Sequence, residues 1–381
     1  MKVLILFQFD NHEQLINKLC TNLNAHNINS DSFNIVSLKF TGYNNYGGPL
    51  YLKIIKPLVK ISIIQTFLII LFRKKIILSI SNNYDIIDIH FFDPAYDDLI
   101  DPVKRKGKKI IITLWGSDFY RVNQSRFEQQ REYYQKVDMI HIATQQMQND
   151  FIKIFPEFKD KIRLAHFGIA QFDIINELAS MSDNETIKKE LEIPAGKIII
   201  ACGTNGSEHH QHLLILENIL KLGTFYKNKI FLIFPMTYGG STSYMETVEK
   251  KAESSGISYR VISRPWSITD ICKLRIVSDI AITIQKTDSF SAAVQEHIFS
   301  GSIMICGEWL PYQKLSQSGI FYLTTSLDSL KDTIAEAIDN FPTLKNKCLT
   351  NKRKMSEISS WNSVIKDWLC IYNELQQQNN S

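Results

Sequence analysis

The sequence lacks the cysteine patterns that mark zinc sites and disulfide frameworks. Its six cysteines are scattered, with no CxxC pair among them, so we expect reduced thiols in a cytosolic protein. It also lacks an excess of charge of one sign, because 43 Lys and Arg stand against 39 Asp and Glu, a net charge of +4. A balance this weak does not favour nucleic acid as the main ligand.

Apolar segments long enough for a membrane span are missing as well. The apolar-leaning residues 61–72 number twelve, whereas a spanning helix needs about 20. The apolar start, residues 2–7, is shorter than the core of a signal peptide and has no small-residue cleavage site, so we interpret it as a first strand. With 44% hydrophobic and 22% charged residues, the composition excludes a disordered chain and a multi-span membrane protein.

What the sequence does contain is an alternation of short β-rich runs with longer polar-patterned stretches. Runs such as residues 110–112 and 198–200 are Ile-Ile-Ile without polar alternation, as in parallel strands that are covered on both faces. A chain of 381 residues has the length of two α/β domains. The alternation pauses between residues 171 and 194, and we therefore predict an N-terminal domain over 1–168, a linker over 169–195, a second domain over 196–350, and a C-terminal helix over 351–381 that packs back on the first domain.

The most informative segment is 287–301, which follows the predicted strand 278–284. A strand, a loop of small residues and a helix place free N–H groups and the positive helix end at the carboxyl edge of a sheet, where phosphates bind. Ser289 and Glu296 are seven residues apart and share a helix face, and the Glu296 carboxylate can accept charge-assisted hydrogen bonds from a ribose diol. In the alternative interpretation, Asp288 or Ser289 only caps the helix and Glu296 is a solvated helix residue.

A second glycine-containing turn, residues 202–207, follows the first strand of the second domain. Its glycines permit close approach of the backbone to a ligand, and its polar side chains offer donors to a diphosphate at the start of the next helix. The residues concerned are Gly203, Asn205, Gly206 and Ser207.

Three histidines, His209, His210 and His212, come next. So close together at a helix start, they cannot all point at one ion, and we predict no metal site. Because a nearby phosphate raises the pKa of an imidazole, we expect His210 to supply positive charge there. The alternative is ordinary polarity of a solvated helix.

These motifs carry a resemblance to a known family. Asp288 and Glu296 with seven residues between them, Phe290 two after the first acid and Gly301 five after the second resemble the E-x7-E signature of family-four GT-B glycosyltransferases, with Asp in place of the first Glu. The resemblance implies an α/β fold of the GT-B class, with two Rossmann-like domains facing across a cleft. It also implies a hexosyltransferase that retains anomeric configuration and needs no metal or other cofactor beyond its nucleotide-diphosphate sugar.

Within this family the chain is similar to the bacterial fucosamine-type transferases of surface polysaccharide assembly. The similarity lies in the turn after residue 202, which lacks the Arg and Lys usual in family four, and in residues 115–120 and 234–239. The resemblance to family four implies that the second domain binds the donor, with Glu296 on the ribose and Asp288 near the donor sugar. The other residues that it places at the donor are Gly203, Asn205, Gly206, Ser207, His210, Ser289, Phe290 and Ser291, with Arg264 at the base or a phosphate.

The first domain is expected to hold the acceptor. Trp115, Gly116 and Asp118 follow the predicted strand 108–114, and Trp115 stands where the family usually has His. Asp118 is the candidate for orienting or deprotonating the acceptor hydroxyl, with a helix-capping Asp as the alternative. His90, at the end of another predicted strand, is a further candidate on the acceptor side.

Residues 53–75 carry six cations and no acid around the apolar stretch 61–72. This pattern is typical of a helix lying on an anionic inner-membrane surface, or of a buried helix with basic ends. Together with this pattern, the resemblance implies a cytoplasmic enzyme, peripheral on the membrane, that transfers sugar to a glycan or lipid-linked acceptor in bacterial O-antigen or capsule synthesis. The alternatives are a nucleotide-sugar epimerase of the same architecture and a membrane-surface binding protein without catalysis.

Overall fold

The computed structural model divides into two compact units. The first comprises Met1–Gly168 with Trp361–Ser381, and the second Ile169–Ser360. The residues described are 1–8, 13–37, 39–42, 73–80, 84–93, 96–288 and 290–377. Residues 53–72 and Ser289, for which the sequence predicts roles, lie outside these ranges. Among the described helices, none has both the length and the apolarity that a membrane span requires.

The first unit is built on a seven-stranded sheet in the order β3-β2-β1-β4-β5-β6-β7. Neighbouring strands are parallel except at β2 and β3, which are antiparallel. The Ile run at 110–112 lies in this sheet and is fully buried, because helices cover both faces. The strands are β1 (Lys2–Phe7), β2 (Asn29–Asn34), β3 (Lys39–Gly42), β4 (Tyr84–His90), β5 (Gly107–Leu114), β6 (Met139–Ile142) and β7 (Ile162–Leu164).

The helices of the first unit sort onto the two faces of this sheet by the alternation of its strands. Leu4 and Leu6 face a core that contains residues of the helix at 100–104 and of later helices, whereas Val3 and Ile5 face the helix at 13–25. Residues 73–79 are also helical, and Pro156–Lys161 forms a 3₁₀ turn. The helices are α1 (Glu13–Ala25), α2 (Ile100–Lys104), α3 (Ser117–Tyr120), α4 (Gln124–Lys136) and α5 (Gln145–Ile154).

The second unit is built on a six-stranded parallel sheet in the order β10-β9-β8-β11-β12-β13. The chain moves outward from β8 to β10 and then returns to the other side of β8, so the strand order reverses between β8 and β11. Such a switch point, at the carboxyl ends of the strands, is where α/β sheets bind ligands. The strands are β8 (Ile198–Cys202), β9 (Ile230–Pro235), β10 (Tyr259–Ile262), β11 (Ile280–Thr283), β12 (Ile303–Gly307) and β13 (Leu323–Thr325).

Helices cover both faces of the second sheet as well. Their apolar residues form two clusters with alternate residues of β8, Ile200 in one and Ala201 in the other. The helices are α6 (Gln171–Met181), α7 (Asn184–Glu190), α8 (His212–Leu220), α9 (Thr224–Lys227), α10 (Thr242–Glu253), α11 (Ile268–Val277), α12 (Ala292–Phe299), α13 (Gln313–Gln317), α14 (Leu330–Asp339), α15 (Phe341–Cys348) and α16 (Asn351–Ser359).

The linker predicted over 169–195 is instead two helices, α6 and α7, that belong to the second unit. Phe172 stacks on Phe299 with ring centroids 3.9 Å apart, and Ile187 is buried in a cluster with Ile199. The polar residues that suggested a linker, between Ser180 and Glu185, form the end of α6, the turn and the start of α7, and the apolar sides of both helices are covered.

The C-terminal part of the chain also divides at a different residue from the one predicted. Helix α16 lies in the second unit, where the Asn351 side chain accepts a 2.9 Å hydrogen bond from Phe321 N and donates one of 2.7 Å to Phe321 O. The final helix, α17 (Trp361–Gln377), packs on the first sheet. There the Trp368 indole donates a 2.9 Å hydrogen bond to the carbonyl of His166. The change of unit therefore falls at residue 361 and not at 351.

Candidate functional site

The carboxyl edge of the second sheet carries four loops that follow neighbouring strands. These strands are β9, β8, β11 and β12 in sheet order. Because all four are parallel, their loops leave the sheet at the same edge. The loops span residues 236–241, 203–211, 284–291 and 308–312.

Glycines allow the first two of these loops to pack directly against each other. Gly206 N donates a 2.8 Å hydrogen bond to Tyr238 O, and a side chain added at Gly240 would collide with the Gly206 backbone. Gly203 has φ +72°, and a Cβ there would lie 2.6 Å from His212 Nε2. The glycines of the 203–206 turn are therefore required by loop packing.

The polar side chains of this turn use their acceptor atoms locally. Asn205 Oδ1 accepts a 2.9 Å hydrogen bond from Ser207 N, and Ser207 Oγ accepts one of 3.4 Å from His209 N. These interactions do not consume the donor groups of the two side chains, the Asn205 amide and the Ser207 hydroxyl hydrogen. Both donors are of the kind predicted for a diphosphate.

The loop after β8 is also joined to the loop after β11. Lys286 N donates a 2.9 Å hydrogen bond to His209 O, and the Gln211 side-chain amide donates to Ile284 O. Lys286 itself is exposed, and no carboxylate of the described residues lies within ion-pair distance of its ammonium group. The resemblance to family four implied a cation only in the turn after β8, so Lys286, across the joined loops, was not predicted.

The three histidines at the start of α8 diverge. His209 is exposed, whereas His210 and His212 are buried. His210 Nε2 lies 3.4 Å from Thr204 Oγ1, and His212 Nδ1 lies 3.2 Å from the Tyr244 hydroxyl. Burial, with the neighbouring His210, lowers the pKa of His212 to about 3. In the described part of the chain no three acidic, His or Cys side chains are grouped to hold a metal ion.

The loop after β11 holds one strained residue between two fixed points. Phe290 has φ 98°, a value that a bulky residue adopts at a cost and that concentrates at functional sites. Before it, Asp288 Oδ2 accepts a 2.9 Å hydrogen bond from Ser291 N and another from the Tyr312 hydroxyl. After it, the Gln295 amide donates a 2.9 Å hydrogen bond to Phe290 O. Asp288 thus fixes the turn into α12, but the N-cap residue of that helix is Ser291 and not Asp288.

Glu296, on α12, is only 4% exposed. The alternative of a solvated helix residue is therefore wrong. Its Oε2 accepts a 3.0 Å hydrogen bond from Arg275 Nε of α11, and no other described residue donates to the carboxylate. Nothing in the sequence spacing indicated Arg275, because the two residues meet across two helices, 21 positions apart.

Aromatic residues flank this edge. Tyr238 is 65% and Trp309 40% exposed, and the Trp309 indole donates a 2.9 Å hydrogen bond to Gln285 O. Arg264, after β10, is exposed. Its neighbour Trp266 is half-buried against the core and lies under the Arg260 guanidinium at 5.6 Å.

In the first unit, Asp118 joins two loops. Its Oδ1 accepts hydrogen bonds from Trp115 N and Gly116 N, both 2.9 Å, and its Oδ2 accepts one of 2.9 Å from Phe92 N. The side chain is 2% exposed, and burial raises its pKa to about 7 in spite of these three donors. Gly116 has φ 111°, which favours glycine. This arrangement favours a structural interpretation of Asp118 over a catalytic one.

His90 and Trp115 belong to an aromatic cluster inside the same unit. His90 is fully buried, stacks on Trp368 at 6.1 Å and meets Trp115 edge-on at 6.0 Å. Its Nε2 lies 3.3 Å from Asp88 Oδ2. His90 therefore has no exposed surface in this unit with which to line an acceptor site.

The sequence matches no protein-family model and no curated protein. Several solved structures are nevertheless similar over almost the whole chain. HepE of Anabaena, crystallised with UDP and glucose, is 13% identical, with 99% of this chain and 100% of that chain covered and a TM-score of 0.67. A glycosyltransferase of Rickettsia africae is 14% identical, with 98% of each chain covered and a TM-score of 0.71.

Sucrose-phosphate synthase of Thermosynechococcus elongatus is 9% identical, with 99% of this chain and 100% of that chain covered and a TM-score of 0.71. At these identities the likeness concerns the fold. The chain has the α/β architecture of the GT-B class, with two Rossmann-like domains, as the sequence predicted.

Proposed function

We propose that the protein is a glycosyltransferase that binds a nucleotide-diphosphate sugar at the carboxyl edge of its second sheet. The observation that carries the proposal is the buried carboxylate of Glu296 on the helix that begins at the switch point between β8 and β11, beside two interlocked glycine turns. HepE, which shares the fold, was crystallised with UDP and with UDP-glucose. The geometry of this sheet edge suits a nucleoside diphosphate or a nucleotide-diphosphate sugar.

The chemistry follows from where charge develops. Breaking the bond between sugar and phosphate leaves negative charge on the nucleotide diphosphate. The first N–H groups of α8 and α12 are fixed before the reaction and favour that charge. Lys286 adds a cation beside the same turn. We therefore propose that these residues stabilise the leaving group without a metal ion.

The roles of the acidic residues follow from their contacts. Glu296 holds the ribose through the carboxylate oxygen that Arg275 does not engage. Asp288 fixes the strained turn at Phe290, which shapes the place of the donor sugar. In the first domain Asp118 holds the Trp115 and Gly116 loop on the acceptor side.

The finer assignments rest on the resemblance alone. They are retention of anomeric configuration, a fucosamine-type donor, a glycan or lipid-linked acceptor, and a place in bacterial surface polysaccharide synthesis. Attachment to an anionic membrane surface through residues 53–75 is a further proposal, based on the charge pattern of that segment. Arg73 of that segment pairs with Asp98 at 2.6 Å, so the membrane proposal relies on the other cations.

The test begins with calorimetric titration of UDP, GDP and dTDP into the protein, followed by a donor panel scored for nucleotide release with glycan acceptors. Binding together with acceptor-dependent release supports a transferase. Formation of an isomerised nucleotide sugar without acceptor would indicate the epimerase. No heat of binding with any nucleotide would indicate the non-catalytic membrane-surface binding protein. Glu296→Ala should weaken binding by about 1.5–3 kcal/mol, the value of charged hydrogen bonds, whereas Glu336→Ala, on the exposed side of α14, should not.

A further inference from the structure

Arg275, the partner of Glu296, belongs to a chain of hydrogen-bonded polar groups in the interior of the second unit. Arg275 Nη1 lies 3.0 Å from His297 Nε2, and His297 Nδ1 lies 3.2 Å from Ser302 Oγ. Ser302 Oγ donates in turn to Ser278 O at 2.8 Å. All of these side chains are at least nine-tenths buried. The chain joins the end of α11 to α12 and to the start of β12.

Only one arrangement of hydrogens satisfies this chain. Because the Ser302 hydroxyl donates its one hydrogen to Ser278 O, the hydroxyl oxygen must accept a hydrogen bond from His297 Nδ1. A neutral imidazole then presents Nε2 as an acceptor, which is what the Arg275 guanidinium requires, since arginine only donates. Burial and the Arg275 charge hold the pKa of His297 well below its usual range, which agrees with a neutral ring.

This hydrogen-bond arrangement determines how Arg275 contacts Glu296. Among the described residues, the Arg275 guanidinium pairs with a single carboxylate, that of Glu296, and its Nε contacts only Oε2. This contact fixes the orientation of the buried carboxylate. Its other oxygen, Oε1, receives no hydrogen bond from any other described residue.

We propose that Arg275, anchored by His297, is a positioning residue that presents Glu296 Oε1 to the sugar hydroxyls of the nucleotide. The proposal rests on the proposed function, because it needs a nucleotide at this edge. Arg275 does not touch the ligand. It sets the direction of the carboxylate that does, and His297 sets the direction of Arg275.

The test is a double-mutant cycle on nucleotide affinity. UDP, GDP and dTDP are titrated into the unaltered protein, Arg275→Lys, Glu296→Gln and the double variant. Lysine keeps the charge and loses the fork that holds both partners. We expect Arg275→Lys to weaken binding about tenfold, within the range of coupled residues, and to have no further effect once Glu296 is Gln. A residue that only supports the fold would lower affinity equally in both backgrounds.

His297→Leu provides a second route, because it leaves the Arg275 and Glu296 pair in place and removes only its anchor. It serves as the cycle partner if Arg275→Lys does not fold, with the same expectation. Arg353→Lys is the matched control, because Arg353 pairs with Glu357 on the exposed side of α16, and the affinity of this variant for the nucleotides should be unchanged. Additive losses, or full affinity in folded Arg275→Lys, would overturn the positioning role while the proposed function stands. Absence of binding by the unaltered protein would overturn both.

Discussion

The Tyr372 hydroxyl donates a 2.7 Å hydrogen bond to Asp88 Oδ2 and ties helix α17 to strand β4 across 284 positions of sequence. Both side chains are fully buried. Asp88 Oδ1 accepts a second hydrogen bond, of 2.7 Å, from Thr113 Oγ1. Although burial alone would raise it, the pKa of Asp88 is lowered by His90 and by these hydroxyls. The carboxylate thus stays ionised in the interior and depends on each donor.

Tyr372→Phe should therefore destabilise the first unit by about 1.5–3 kcal/mol, the value of a hydrogen bond to a charged group. The measurement is the midpoint of thermal unfolding by calorimetry, which should fall by about 2–4 °C per kcal/mol for a unit of this size. Tyr226→Phe is the control, because its hydroxyl bonds Asp339 at 2.7 Å on the surface. Equal midpoints for both variants would contradict the importance assigned to Asp88.

Asp118→Asn separates the structural from the catalytic interpretation of that residue. Asn has one acceptor oxygen, so its amide faces a backbone N–H that the carboxylate had satisfied. The expected loss of stability is about 1–3 kcal/mol, read as a lower midpoint of thermal unfolding. Asp101→Asn, at an exposed position, should leave the midpoint unchanged. A fully stable Asp118→Asn protein without sugar transfer would restore the catalytic interpretation.

The behaviour of Asp118 also shows what the sequence could predict and what it could not. The Ile runs predicted parallel strands, and residues such as Asp118 and His90 were placed correctly at or just after strand ends. Whether a side chain at a strand end points into a site or into the core depends on what packs over it. For His90 that covering residue is Trp368, more than 250 positions away, and no local pattern reports such a contact.

In the second sheet, the partner of a charged side chain was likewise not predictable from the sequence. The spacing of Asp288 and Glu296 indicated a functional helix start, but the partner of Glu296 could not be found from spacing. The linker prediction failed for a different reason. The apolar residues Phe172, Ile175 and Ile187 were present in the sequence, but the prediction followed the polar composition around the turn between their helices.

Buried histidines predict how stability depends on pH. Burial lowers the pKa of His141 to about 4, whereas an unfolded histidine titrates near 6.5. Between these values the unfolded chain binds more protons than the folded one, so the first unit loses stability as the pH falls from about 6.5 to 4. The loss from this residue is about 3 kcal/mol, at 1.36 kcal/mol per pKa unit.

The check is calorimetry of the unaltered protein and His141→Phe at several pH values between 4 and 7.5. The variant loses the hydrogen bond to Ala165 O, at 2.8 Å, and is expected to be less stable at pH 7.5 but to fall less steeply in acid. His26→Gln, exposed at the end of α1, should keep the original slope. The pKa of His212 is lowered too, so the second unit should lose stability in acid whatever stands at position 141. A slope unaffected by His141→Phe would count against a neutral buried imidazole at that position.

The proposed role of Lys286, as a cation beside the turn after β8, predicts which part of the donor this residue recognises. Lys286→Gln should weaken binding of the nucleoside diphosphate by about fivefold, the effect of one exposed ion pair, and should make the remaining affinity less sensitive to salt. Binding of the corresponding nucleoside, which has no phosphate, should not change. Calorimetry with both ligands at two salt concentrations measures this difference, with Lys331→Gln on α14 as the control. Equal losses for the nucleoside and its diphosphate would place Lys286 away from the phosphates, because a cation that contacts only phosphate has nothing to lose when the phosphate is absent.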